Sequence, residues 1–146
     1  MIDQTLLEKY QQVLEQGLIY ELVVKVENKQ LASLGKKGTD SLHTIKQFSS
    51  GEFGEDILEK IKKVALNSKY KGELVDTGIG YGNNYLAFNY PDANSLYYAS
   101  RDVAQFFLNN NFKLIAGNFT PTKGEASFKD NNDRKAVVKY GSWNPE

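Results

Sequence analysis

The chain has 146 residues, about one domain's worth, and that length buries roughly two thirds of the unfolded surface without covalent staples. Its 18 basic and 18 acidic side chains cancel, so no global field draws it toward nucleic acid or a membrane. There is no cysteine, which excludes disulfides, thiolate zinc sites and cysteine catalysis.

Thr5 and Glu8 form a capping box, and Leu6, Leu7, Tyr10, Val13 and Leu14 recur on one face, which predicts a first helix ending at Gly17. The first residues carry no apolar signal-peptide core, and no run reaches transmembrane length, so a soluble cytoplasmic protein is expected. From Ile19 to Glu27 the residues alternate: Tyr20, Leu22, Val24 and Val26 on one side, with Glu21, Lys25 and Glu27 on the other. That is a strand. A short partner is expected near Gln30, then a basic loop with Lys36 and Lys37. The run from Leu42 to Phe48 fits a strand by alternation and a helical turn by steps of three, and is read as a strand.

A helix is predicted from Phe53 to Asn67, with Phe53, Ile57, Ile61, Val64 and Ala65 inward and Lys60, Lys62 and Lys63 solvated. A strand follows from Glu73 to Thr77. Gly78, Gly80 and Gly82, with Asn83 and Asn84, predict a flexible glycine-rich loop. Tyr85 to Tyr90 alternates again, placing Leu86, Phe88 and Tyr90 opposite Tyr85, Ala87 and Asn89. After Pro91, a helix capped by Asn94 or Ser95 carries Leu96, Ala99, Val103, Phe106 and Phe107 on one stripe and stops at the asparagines 109–111. Phe112 to Phe119 is apolar on both faces, which predicts a central strand. A hairpin is expected from Ala126 to Tyr140 across Asp130 and Asp133. The expected fold is a single α+β domain: a mostly antiparallel sheet of about five to seven strands, with three helices mainly on one face.

Few motifs carry chemistry. The glycines at 78, 80 and 82 suggest a phosphate loop, but a dinucleotide loop must open a helix, and here a strand follows. Leu74, Val75, Asp76, Thr77 and Gly78 resemble the hydrophobic-hydrophobic-Asp-Thr-Gly signature of retroviral-type aspartic proteases, and Leu114 to Gly117 loosely resembles their second motif. The resemblance implies an aspartate sharing a proton with its symmetry mate. That family is nearly all-β, with its helix after the second motif, whereas here a helix lies between the two. His43 is the sole histidine, so no two-histidine mechanism exists. With Lys36, Lys37 or Lys46 it offers a base for a toxin-like nuclease. Arg101 and Arg134 are the only arginines, which disfavours bidentate phosphate recognition and makes a nucleic-acid partner unattractive. Asp130 and Asp133 lack the alternate-position oxygens of a calcium loop. No cofactor or metal is expected.

One enrichment stands out. Tyr81, Tyr85, Tyr90, Tyr97 and Tyr98 fall within eighteen residues of sequence beside Asn83, Asn84, Asn89 and Asn94, the composition of a recognition surface. The expectation is a small soluble non-enzymatic binding protein of the immunity, inhibitor or adaptor kind. It would occlude a protein partner through the segment from Gly78 to Tyr98, with Gly80, Tyr81, Asn83, Asn84, Tyr85 and Tyr97 as contacts. The alternatives are a small-molecule binder or enzyme with a pocket at the Gly78 to Gly82 loop, lined by Asp76 and Thr77, and a nuclease centred on His43.

Overall fold

The computed structural model describes residues 17–28 and 55–144, with the side chains of Glu55 and Asp56 excepted. The described part is α+β: six strands in one sheet, every pairing antiparallel, and two α-helices. In chain order these are β1 (Ile19–Glu27), α1 (Glu55–Ala65), a 3₁₀ turn (Ser68–Tyr70), β2 (Glu73–Gly80), β3 (Asn83–Tyr90), α2 (Ala93–Asn109), β4 (Lys113–Phe119), β5 (Gly124–Lys129) and β6 (Lys135–Trp143). The sheet order is β2-β3-β1-β6-β5-β4. The helix predicted at 5–16 and the strands predicted between 30 and 48 lie outside the described residues, so two α-helices stand where three were expected.

Alternation decides which face is covered. On β1, Tyr20, Leu22, Val24 and Val26 are buried, with Leu86, Phe88 and Tyr90 of β3 on one flank and Ala136, Val138 and Tyr140 of β6 on the other. Leu96, Ala99, Val103 and Phe107 of α2 close over this surface, and Phe107 stacks on Phe128 of β5 with ring centroids 5.3 Å apart. α1 adds Ile61 and Ala65 to the same layer. The other sheet face carries no described helix.

α2 starts two or three residues earlier than the sequence suggests. Asp92, rather than Asn94 or Ser95, is the cap: it is extended (φ −154°), and its side chain accepts a hydrogen bond from the Ser95 amide at 2.7 Å. Ser100, within the buried stripe, satisfies its hydroxyl on the Leu96 carbonyl at 2.7 Å. The Tyr70 hydroxyl donates to the Asp102 carboxylate, tying the 3₁₀ turn to α2.

β4 is the main correction. The apolar run expected at the centre is an edge strand, exposed at every position from Lys113 to Asn118. Leu114 faces the helical side opposite Phe128, yet α2 lies chiefly over β6 and β1, so nothing described covers it. Apolar residues on both faces therefore signalled an uncovered edge here. Each edge strand also carries a bulge, between Leu74 and Asp76 in β2 and between Leu114 and Ala116 in β4.

Three tyrosines lie across glycines: Tyr90 over Gly72, Tyr85 over Gly78 and Tyr140 over Gly124. The ring occupies the space where a Cβ would stand. Tyr90 is also anchored by donating to the Ala65 carbonyl at 2.8 Å, and Tyr140 by donating to the Thr120 carbonyl. Neither ring can swing aside cheaply. Gly72→Ala and Gly124→Ala should each lower the urea unfolding free energy by about 1–3 kcal/mol, the usual cost of overpacking. Gly80→Ala, with no heavy atom within 4 Å of its Cβ, should change it far less.

Candidate functional site

The glycine-rich stretch is a tight turn between long strands. β2 runs through Gly78 to Gly80, and β3 starts at Asn83, the partner of Gly80. Tyr81 (φ 51°) and Gly82 (φ 78°) fill the two turn positions, both left-handed, as a type I′ hairpin requires. The Asn83 side chain donates to the Tyr81 carbonyl at 3.3 Å, and the Asn28 amide at the end of β1 donates to the Gly82 carbonyl at 2.8 Å. The tip is thus braced from two sides. The Tyr81 ring touches nothing: its relative exposure is 105%.

The other candidate contacts separate into three places. Asn84 is buried, facing the helical layer opposite Val26. Asn83 and Tyr85 share the outer sheet face next to the tip. There Tyr85 lies half-buried over Gly78, donates to the Asp76 carboxylate at 3.4 Å, and its carbonyl accepts from the Thr77 hydroxyl at 3.1 Å. Lys25 is its cross-strand neighbour. Tyr97 belongs to α2, half-buried and edge-on to Tyr98 and Tyr140 at 5.3 and 6.2 Å. Tyr98 is exposed near the Arg101 guanidinium, and Tyr90 is core. A sequence window of tyrosines thus maps to a tip, an outer face, a helix flank and the interior. The structure brings Tyr81, Asn83 and Tyr85 into one neighbourhood and leaves Asn84 and Tyr97 out of it.

Gly78 and Gly80 lie in the β2–β3 ladder, so their strand does not present a run of free amides to a phosphate. The hollow beside Gly78 measures about 210 Å³ and lies between Leu58, Glu59 and Lys62 of α1 and Thr77 to Ile79 of β2. It is smaller than the ~300 Å³ at which ligand pockets usually begin. Thr77 lines this hollow and Asp76 does not, and both side chains are exposed within an edge strand. In the β5–β6 turn, Asp130 accepts from the amides of Asn132 and Arg134 at 2.9 and 2.8 Å and from the Arg134 guanidinium at 3.1 Å, so its oxygens close the turn. Among the described residues no three His, Cys, Asp or Glu side chains group to hold a metal, and no helix is long and apolar enough to cross a membrane. His43, Lys36, Lys37 and Lys46 lie outside the described residues.

One feature escaped the sequence reading. A shallow depression of about 650 Å³ opens on the outer sheet face over Gly141, bounded by Glu21, Lys139, Lys123 and Trp143. Its signal was the break in polarity on that face, where Val23 and Val137 interrupt the charges and Trp143 ends β6. No family model matches the chain, and no curated protein or solved structure matches it either.

Burial holds three phenols above their ordinary range. Tyr70 is pushed up to about 12 by burial and then by its hydrogen bond to Asp102. Tyr140 is pushed up to about 12 by burial and by Tyr97 beside it, and Tyr90 moves in the same direction through burial. The folded state therefore keeps protons that the unfolded chain loses above about pH 10. This contribution is fully present below pH ~10 and is lost as pH rises through the folded values near 12. Urea midpoints should fall as pH rises from about 10 toward about 12, with phenolate absorbance from these tyrosines appearing near pH 10 only in the unfolded chain.

Proposed function

We propose that this protein is a small non-enzymatic binding protein of the immunity, inhibitor or adaptor kind, in a cytoplasmic setting. It acts by occluding a protein partner through the segment from Gly78 to Tyr98, with the β2–β3 tip as the leading contact. The observation that carries the reading is Tyr81. Left-handed backbone costs an ordinary L-residue about 1–2 kcal/mol, and Asn-Gly fills a type I′ turn more readily than Tyr-Gly does. Packing returns nothing to the fold, because the ring is wholly in solvent. A left-handed, fully exposed tyrosine of this kind supports a contact made outside the fold.

A large, two-torsion aromatic on a braced turn is pre-organised for that role, since little freedom remains to be lost on docking. Asn83 and Tyr85 extend the contact along the outer face, with the Asp76 carboxylate and Lys25 as flanking charges. Occlusion needs no catalytic residue, and none is assigned.

Tyr81→Asn separates the two roles of the residue. It should raise unfolding free energy by about 1 kcal/mol, because asparagine tolerates the left-handed turn. It should also weaken partner binding about thirtyfold, as loss of a hot spot of about 2 kcal/mol does. Denaturant melts and quantitative capture from native lysate, wild type against variant, measure both. If every captured protein is retained equally by Tyr81→Asn and Tyr85→Ala, the reading fails.

A further inference from the structure

A band of like charge crosses the outer sheet face. Lys113, Lys129 and Lys135 lie directly opposite one another on β4, β5 and β6. Their neighbours Phe128 and Ala136 are buried on the helical side, so the three lysines share the outer face. Lys25 of β1 is opposite Val137, two residues along β6 from Lys135, which sets it on the diagonal from that lysine. The same Lys25 is opposite Tyr85 of β3. Four adjacent strands therefore carry lysine in sequence, from the β4 edge to the neighbourhood of Tyr81, Asn83 and Tyr85.

The fold gains nothing from this arrangement, because like charges directly opposite across a ladder destabilise it. Elsewhere on the same face opposite signs meet: Glu125 of β5 is the partner of Lys139 of β6. Lysine on an edge strand guards against unwanted pairing, which accounts for Lys113 but not for Lys129 and Lys135 on interior strands. Asp133 stands 3.6 Å from Lys129 and offsets one charge. Lys25, Lys113 and Lys135 are exposed and make no ion pair among the described residues.

We propose that this band receives carboxylates from an acidic surface of the protein that docks on the Tyr81 tip. Discrete carboxylates suit it better than a phosphate chain. Arginine, whose planar fork matches phosphate, is engaged elsewhere: Arg134 holds Asp130 at 3.1 Å and lies over the Phe112 ring, while Arg101 lies beside Tyr98 on α2. Glu27, next to Val26 on β1, and Asp133 interrupt the band with negative charge that a continuous phosphate backbone would have to cross. Strands about 4.8 Å apart put Lys113 about 14 Å from Lys25, with Tyr85 one strand further, a span that one ordinary protein contact covers. The tip anchors the partner, and the band steers its approach and fixes its orientation. That one partner covers both rests on the function proposed for Tyr81, whereas the band's affinity for carboxylates does not.

Octaglutamate, a peptide with no surface for Tyr81 to engage, isolates the band. In an amide-resolved NMR titration at low salt it should shift Lys25, Lys113, Lys129 and Lys135. In about 1 M salt, where the screening length is about 3 Å, those shifts should vanish. Lys129→Gln with Lys135→Gln should weaken the peptide about fivefold, as loss of two exposed ion pairs does, without lowering the urea midpoint. Lys60→Gln with Lys63→Gln, the same charge change on α1, should leave peptide binding unchanged. No shift at low salt, or an equal loss from both double variants, overturns the proposal. So does an oligothymidylate of equal charge that binds the band more tightly than the peptide, which would assign the band to phosphate. Octaglutamate binding as expected, beside partner capture that Tyr81→Asn leaves intact, would uphold the band and overturn the tip alone.

Discussion

A sheet whose described helices all lie on one side is the constraint from which the rest of the structure follows. Because side chains alternate along a strand, covering one face fixes the register of all six strands at once. Leu22, Val24, Leu86, Phe88, Phe128 and Val138 are inaccessible or nearly so beneath α1 and α2. Burying each such side chain is worth about 1.5–3 kcal/mol, so a one-residue slip of β1 would forfeit several of these at a stroke. β1 is held most firmly, paired along its length to β3 and to β6.

The exposed features of the described structure lie where that cover stops. The outer face keeps Tyr85, Lys25, Glu21 and Trp143 in reach of solvent, the hairpin lifts Tyr81 clear of all packing, and β4 extends beyond α2. The tip is exposed without being loose, since the closing Gly80–Asn83 pair and the Asn28 amide hold a left-handed turn that tyrosine alone would not favour. Tyrosine plays two opposed parts within a few residues. Tyr90 and Tyr140 fill glycine gaps and anchor the core, while Tyr81 contributes nothing to it.

Much of the fold was legible because period and burial agree. The alternation of β1 and β3 and the stripe of α2 appear as read, with Phe107 buried and Phe106 half-covered at its rim. Asp92 was missed as a cap because it follows Pro91 and reads as part of the break before the helix. β4 misled because composition reports how apolar a strand is but not what lies above it. The tyrosine cluster misled for a related reason: adjacency along the chain spreads over opposite faces of a strand and around a helix. That placed Asn84 inside and Tyr97 against Tyr140, away from Tyr81. Tyr81, Asn83 and Tyr85 are the residues that the turn and the alternation keep together.

The central claim is that β1 and the α2-covered face form the stable body, with the tip and both sheet edges projecting from it. Residue-resolved amide hydrogen exchange tests this most directly. The β1 amides, paired on both sides, should exchange only through global unfolding, while Tyr81 and Gly82 and the outward amides of β2 and β4 exchange by local opening. Exchange from β1 faster than from β2 or β4 would contradict the account.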